Sequence, residues 1–101
     1  MVAARFDELI HPSTRLSLVA LLASSDWADF GFLRDRLGLS DSALSKQLTT
    51  LEQAGYVSIE RPVSEHRRRV RARLTHAGRQ AFDGHVAALQ AVISAAEPAK
   101  A

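Results

Sequence analysis

The hydrophobic period of this chain changes twice, and the order of those changes restricts the fold more than any other feature. Between residues 13 and 54 apolar side chains recur three and four apart, the spacing of helices. From Val57 they recur at every second residue: Val57 and Ile59 alternate with Ser58 and Glu60, and Val70, Ala72 and Leu74 alternate with Arg69, Arg71 and Arg73. The helical period returns after Thr75, with Phe82, Val86, Leu89, Ile93 and Ala96 in steps of four and three. Such a chain packs helices first, folds one hairpin, and closes with a further helix.

Breakers and caps divide the first part. Phe6, Leu9 and Ile10 have helical spacing, which predicts a short helix over Arg5 to Ile10 that Pro12 ends. From Ser13 or Thr14 to Ala23 the run is apolar on nearly all sides, as a central helix packed between others requires. It stops at Ser24, Ser25 and Asp26, and Trp27 to Phe30 reads as a short extended stretch. Phe30, Leu33 and Leu37 define a two-turn helix that Gly38 terminates. Ser40 can cap the next helix, whose core stripe is Leu44, Leu48 and Leu51 and whose terminator is Gly55. Its opposite face carries Ser42, Lys46, Thr49 and Gln53, flanked by Ser45 and Thr50, all polar. The hairpin turns near Ser64 to Arg67. Thr75 can cap the last helix, and residues 97–101 read as a disordered tail.

A length of 101 residues fits one domain, here residues 1–96, with no room for a separate catalytic or sensor domain. So small a core gains stability from burying further surface in an oligomer. The absence of cysteine removes disulfides and thiolate zinc sites and fits a cytoplasmic, nucleoid-associated protein. The longest apolar stretch, Leu16 to Ala23, is too short to span a bilayer, and no signal segment opens the chain, so no membrane partner is expected. The net charge of +2 hides a strong asymmetry. Arg61 to Arg79 holds seven arginines against one glutamate, a local +6, while six basic and ten acidic residues leave −4 elsewhere. Concentrated positive charge is what a polyanion responds to.

Helix, helix, short turn, helix, two-stranded hairpin, helix is the order of a helix-turn-helix with a wing. The expected fold is mainly α (α+β): a three-helix core with a two-stranded wing and flanking dimerisation helices at residues 1–11 and 76–96. The run Phe32-Leu33-Arg34-Asp35-Arg36-Leu37-Gly38-Leu39-Ser40, followed by Ala43-Leu44-Ser45-Lys46-Gln47-Leu48, Leu51-Glu52-Gln53-Ala54-Gly55-Tyr56-Val57 and Leu74-Thr75-His76-Ala77-Gly78-Arg79, resembles small single-domain winged-helix transcriptional regulators of the MarR and ArsR kind. The resemblance covers roughly Pro12 to Phe82. It implies a homodimer on double-stranded DNA, with one helix per protomer in successive major grooves of a near-palindromic operator and half-sites roughly 10 base pairs apart.

The residues support the same reading independently. Ser42, Ser45, Lys46 and Thr49 offer short donors and acceptors and one cation on a helix face, and Gln47 can reach a base edge from its side. In the wing, Arg67, Arg68, Arg69 and Arg71 present planar, permanently charged forks suited to phosphate, with His66 at the tip as a further contact. Arg73 sits farthest from the tip and reads as structural. Arg15 and Thr50 are candidate backbone contacts, Arg15 being equally suited to an internal pair. Phe6, Leu9, Ile10, Phe82, Val86, Leu89 and Ile93 are the expected dimer interface, and Trp27 reads as an anchor in a core or interface. Pro62 removes a ladder donor where the second strand enters the wing, which predicts a hairpin that is short or splayed at its tip.

Other classes find less support. His76 and His85 are nine positions apart on one helix, about 180° around its axis, so they cannot share an ion within one chain, and no metal or other cofactor is expected. Without a cysteine nucleophile, a phosphate-binding Gly-rich loop or a carboxylate pair in a cleft, no catalytic residue is assigned and the chain reads as no enzyme. The rivals are a winged helix that docks on another protein, which would need apolar residues on the outer helix face, and an architectural nucleic-acid binder. Repression is the default mode for a domain with nothing else to offer. An effector, if the chain takes one, is expected between the dimer helices and the central helix near Trp27 and Phe82.

Overall fold

The computed structural model describes residues 3–62 and 69–96. Four helices and a small sheet follow in the order α1 (Ser13–Ala23), β1 (Ala28–Asp29), α2 (Phe30–Leu37), α3 (Asp41–Gln53), β2 (Val57–Glu60), β3 (Arg71–Leu74) and α4 (His76–Ala96). The central helix α1 buries Leu18, Val19 and Leu22. Leu33 of α2 and Leu44, Leu48 and Leu51 of α3 close over them in one apolar cluster. The 3.6-residue stripe on α3 thus faces inward, and the polar side chains of its other face turn to solvent.

The capping chemistry is as the residues imply. The Ser40 hydroxyl accepts from the Ala43 amide at 3.1 Å, satisfying a donor at the start of α3. Gly38 ends α2 at φ 65°, in the left-handed region that costs a side chain steric strain. The Thr75 hydroxyl accepts from Gly78 N and donates to the Gly55 carbonyl, so one side chain caps α4 and fastens it to the turn after α3.

Three features depart from the sequence reading. The sheet has three strands in the order β1-β3-β2, because the stretch after Trp27 pairs antiparallel with β3, Ala28 opposite Ala72 and Asp29 opposite Arg71. Buried Ala28 and Ala72 let the strands lie close over the core. β2 stops at Glu60, two residues before Pro62, whose missing donor cannot continue the ladder.

The second departure concerns the first residues. Arg5 to Ile10 form a turn, not the expected short helix, because Asp7 takes over the local hydrogen bonding. Its Oδ1 accepts from the Leu9 and Ile10 amides at 2.9 and 3.2 Å, the side-chain competition with helix that aspartate favours. Residues 3–11 instead make a strap across α4, where the Arg5 amide donates to the Gly84 carbonyl at 2.9 Å. The third follows from it. Ile10, expected in a dimer interface, is completely buried in this protomer's own core, leaving no surface for a partner. Leu9 and Phe82 also pack against that core.

Candidate nucleic-acid interface

The exposed face of α3 carries Ser42, Ser45, Lys46 and Thr49, all solvent-accessible. Asp41 at the first position of this helix would repel a phosphate, but Arg34 of α2 donates to Asp41 at 3.0 Å and to Asp35 at 2.9 Å. The two carboxylates hold the Arg34 proton more firmly than usual. The pair therefore offsets the negative charge at the helix start.

Three candidates are engaged elsewhere. Gln47 is half-buried, and its Oε1 accepts from Arg15 at 3.1 Å while the Arg15 Nε donates to the Leu9 carbonyl at 2.6 Å. Arg15 thus joins the strap, α1 and α3, and its internal pairing is with an amide and a carbonyl instead of a carboxylate. The Thr50 hydroxyl turns back onto its own helix, donating to the Lys46 carbonyl at 3.0 Å. These bonds favour positioning roles, leaving Lys46 with Ser42, Ser45 and Thr49 as the outward set.

The wing divides in the same way. His66, Arg67 and Arg68 lie outside the described residues. Arg69 is 81% exposed and pairs with Asp29 at 3.1 Å, which draws the carboxylate of Asp29 away from capping α2. Arg71 is held on both sides: its Nε donates to Glu60 at 2.9 Å and its guanidinium lies 4.4 Å from the Trp27 ring centroid. Arg73 stacks on the same ring at 4.9 Å. Both alternate outward from buried Ala72 and Leu74, so the pleat of β3 aims them at one ring. Trp27 is therefore the platform that fixes two wing arginines. Its partners were not legible from spacing, because β1 was not expected to join the sheet.

A cleft of about 140 Å³ between α3 and the wing is lined by Ser45, Thr49, Phe30, Ile59, Arg61 and Val70. It places the polar helix face and the base of the wing side by side. Further clefts of about 490 and 440 Å³ lie under the strap and at the start of α2. Replacement of Asp29 by Asn frees Arg69 without touching the helix face. It is expected to raise affinity for any duplex about two- to tenfold at low salt and much less at high salt, as an exposed pair per protomer allows. Titrations of fluorescent duplexes at two ionic strengths read this directly.

Residues 14–93 match the family described as Winged helix DNA-binding domain. The chain belongs to that family. A winged-helix DNA-binding domain is what its elements build, and the fold expected from the resemblance holds. The chain is 28% identical over 79 residues to the uncharacterized protein MJ0432 of Methanocaldococcus jannaschii, covering 78% of this chain and 86% of that one. Its fold is similar to a transcriptional regulator homologue from Pyrococcus horikoshii, with a TM-score of 0.84, 22% identity and 91% of each chain covered. It is also similar to NadR, solved in complex with 4-hydroxyphenylacetate, with a TM-score of 0.71 and 25% identity. That match covers 87% of this chain and 62% of NadR. Among the described residues no helix is long and apolar enough to cross a membrane.

Proposed function

We propose that this winged helix binds a near-palindromic operator as a homodimer and represses transcription by occupying it. The observation that carries the DNA-reading part is the outer face of α3, where Ser42, Ser45, Lys46 and Thr49 are all exposed and no large apolar side chain interrupts them. A protein-docking winged helix needs the opposite. Ser42, Ser45, Lys46 and Thr49 read base edges and nearby phosphates, while Arg67, Arg68 and Arg69 of the wing bind the backbone.

The second copy is supported by α4. Its 21 residues run about 31 Å, and everything from Gln90 onward is exposed, including Val92 at 60% and Ile93 at 64%. Val86 and Leu89 are half-buried just before them, and Phe6 of the strap is 43% exposed. A helix that outruns its own core with apolar side chains on it suits packing against its symmetry mate. Phe6, Leu9, Phe82, Val86, Leu89 and Ile93 remain assigned to that interface, now without Ile10.

Fluorescence anisotropy against the protein's own promoter region and a scrambled duplex of equal length tests this reading. Tighter binding to the promoter is expected. Lys46→Ala should weaken promoter binding roughly ten- to a hundredfold, since each dimer loses two contacts. Equal affinity for both duplexes would identify an architectural binder, and no binding at low salt would identify a protein-docking module.

A further inference from the structure

The strap is fastened to α4 through two imidazoles whose hydrogen bonds define their protonation. The Asp7 amide can only donate, and it meets His85 Nδ1 at 2.9 Å, so that nitrogen is unprotonated. A neutral His85 then carries its proton on Nε2, which lies 3.2 Å from His11 Nδ1. His11 Nδ1 is in turn the acceptor. The chain of bonds runs in one direction, from the Asp7 amide to His85 and from His85 to His11, and it closes only while both rings are neutral. Phe6 covers the pair, its centroid 4.7 Å from each imidazole.

A proton added to either ring breaks this chain. On His85 it turns Nδ1 into a donor facing the Asp7 N–H. On His11 it sets a second donor against His85 Nε2–H. Gly84 and His85 are both buried beneath the strap, so a charged His85 gains no water unless the strap lifts.

We propose that His11 and His85 form a proton-operated latch that holds residues 3–11 on α4 at neutral and higher pH and releases them in acid. Burial, followed by the neighbouring His11, lowers the pKa of His85, whereas the carboxylates of Asp7 and Glu8 act weakly in the opposite sense. Tyr56 faces the site through Asp7, whose Oδ2 accepts from its hydroxyl at 2.6 Å, and Arg5 lies close enough to influence Tyr56. The sign follows from linkage. With the strap released, His85 takes a proton at the ordinary imidazole pKa of about 6.5, and with the strap docked only below it, so docking weakens as pH falls through that window, by up to about tenfold per pH unit. Release also undoes the Tyr56 hydroxyl bond and the Leu9 carbonyl bond to Arg15, the two threads from the strap to the end of α3 and to Gln47.

The test is an NMR titration of the intact protein from pH 8 to 5, following the imidazole nitrogens and the Arg5 and Asp7 amides. At pH 8 both His85 and His11 should be Nε2–H tautomers. On acidification the Arg5 and Asp7 amides should lose protection, beyond the change in intrinsic exchange, with the same midpoint as His85. In His11→Phe, which retains an aromatic ring beside Phe6, that midpoint should move to higher pH because the repelling neighbour is gone and the docked strap has lost one of its fastenings. An Nδ1–H tautomer at His85, or amides that stay protected after His85 has taken its proton, would overturn the latch.

Discussion

Replacing Gly78 by Ala should destabilise the protein by about 2–4 kcal/mol, although the same change in an ordinary helix interior stabilises by up to about 1 kcal/mol. The reversal comes from a single close approach. A Cβ at Gly78 would overlap the Tyr56 carbonyl oxygen and stand 2.9 Å from its carbon and 3.1 Å from Leu74 Cδ2. The obstacle is backbone fixed at both ends: Tyr56 N donates to the Leu51 carbonyl, and Tyr56 O accepts from the Thr75 amide at 3.0 Å. Neither can retreat without loosening the end of α3 or the start of α4. Gly31 of α2 is the internal control, because its Cβ would meet nothing closer than the far end of Arg34 at 3.7 Å. Urea denaturation of the two variants should therefore shift in opposite directions. A Gly78→Ala protein as stable as the wild type would refute the packing of α4 over Tyr56.

The second large effect concerns the wing. Changing Arg68 and Arg69 together to Ala removes two cations per protomer, four in the proposed dimer. It is expected to lower affinity at moderate salt by about a hundredfold or more, almost equally for operator and scrambled DNA. If the parent protein binds as the proposed dimer and neutralises about six to eight phosphates, log K should fall against log salt with a slope of roughly −5 to −7, and the variant should be shallower by about 3 to 4. A selective loss at the operator would instead assign these arginines to base reading. Arg71 belongs to a different class. With Glu60 and the Trp27 ring as its partners, it contributes to the sheet that supports the wing, and its removal should act on stability before it acts on the salt slope.

This contrast shows how far the sequence carried. Arg67, Arg68, Arg69 and Arg71 look alike in a run of basic residues, and alternation alone puts Arg71 on the outer face with Arg69. What separates them is β1. Two residues after Trp27 are too short for a period to be visible, and they become a strand because β3 offers an open edge beside them. Once paired, they bring the indole under Arg71 and Arg73 and Asp29 against Arg69. Asp7 tells the same story at the other end of the chain. The spacing of Phe6, Leu9 and Ile10 suits a helix, but a carboxylate that bonds two nearby amides and a distant tyrosine stabilises a turn more.

Legible from the residues alone were the helices α1 to α4 and the β2–β3 hairpin, the inward stripe of α3, the caps at Ser40 and Thr75, the stop at Gly38 and the polar outer face of α3. All of these are local: they depend on periodicity and on backbone preferences acting within a few residues. Which polar side chains stay free depends on packing between distant parts of the chain. Contacts across 32 to 78 positions commit Arg15 to Gln47, Arg71 to Trp27, and His85 to Asp7 and His11. Such partners are set by how the sheet edge and the strap fall across the core, and no spacing along the chain encodes them.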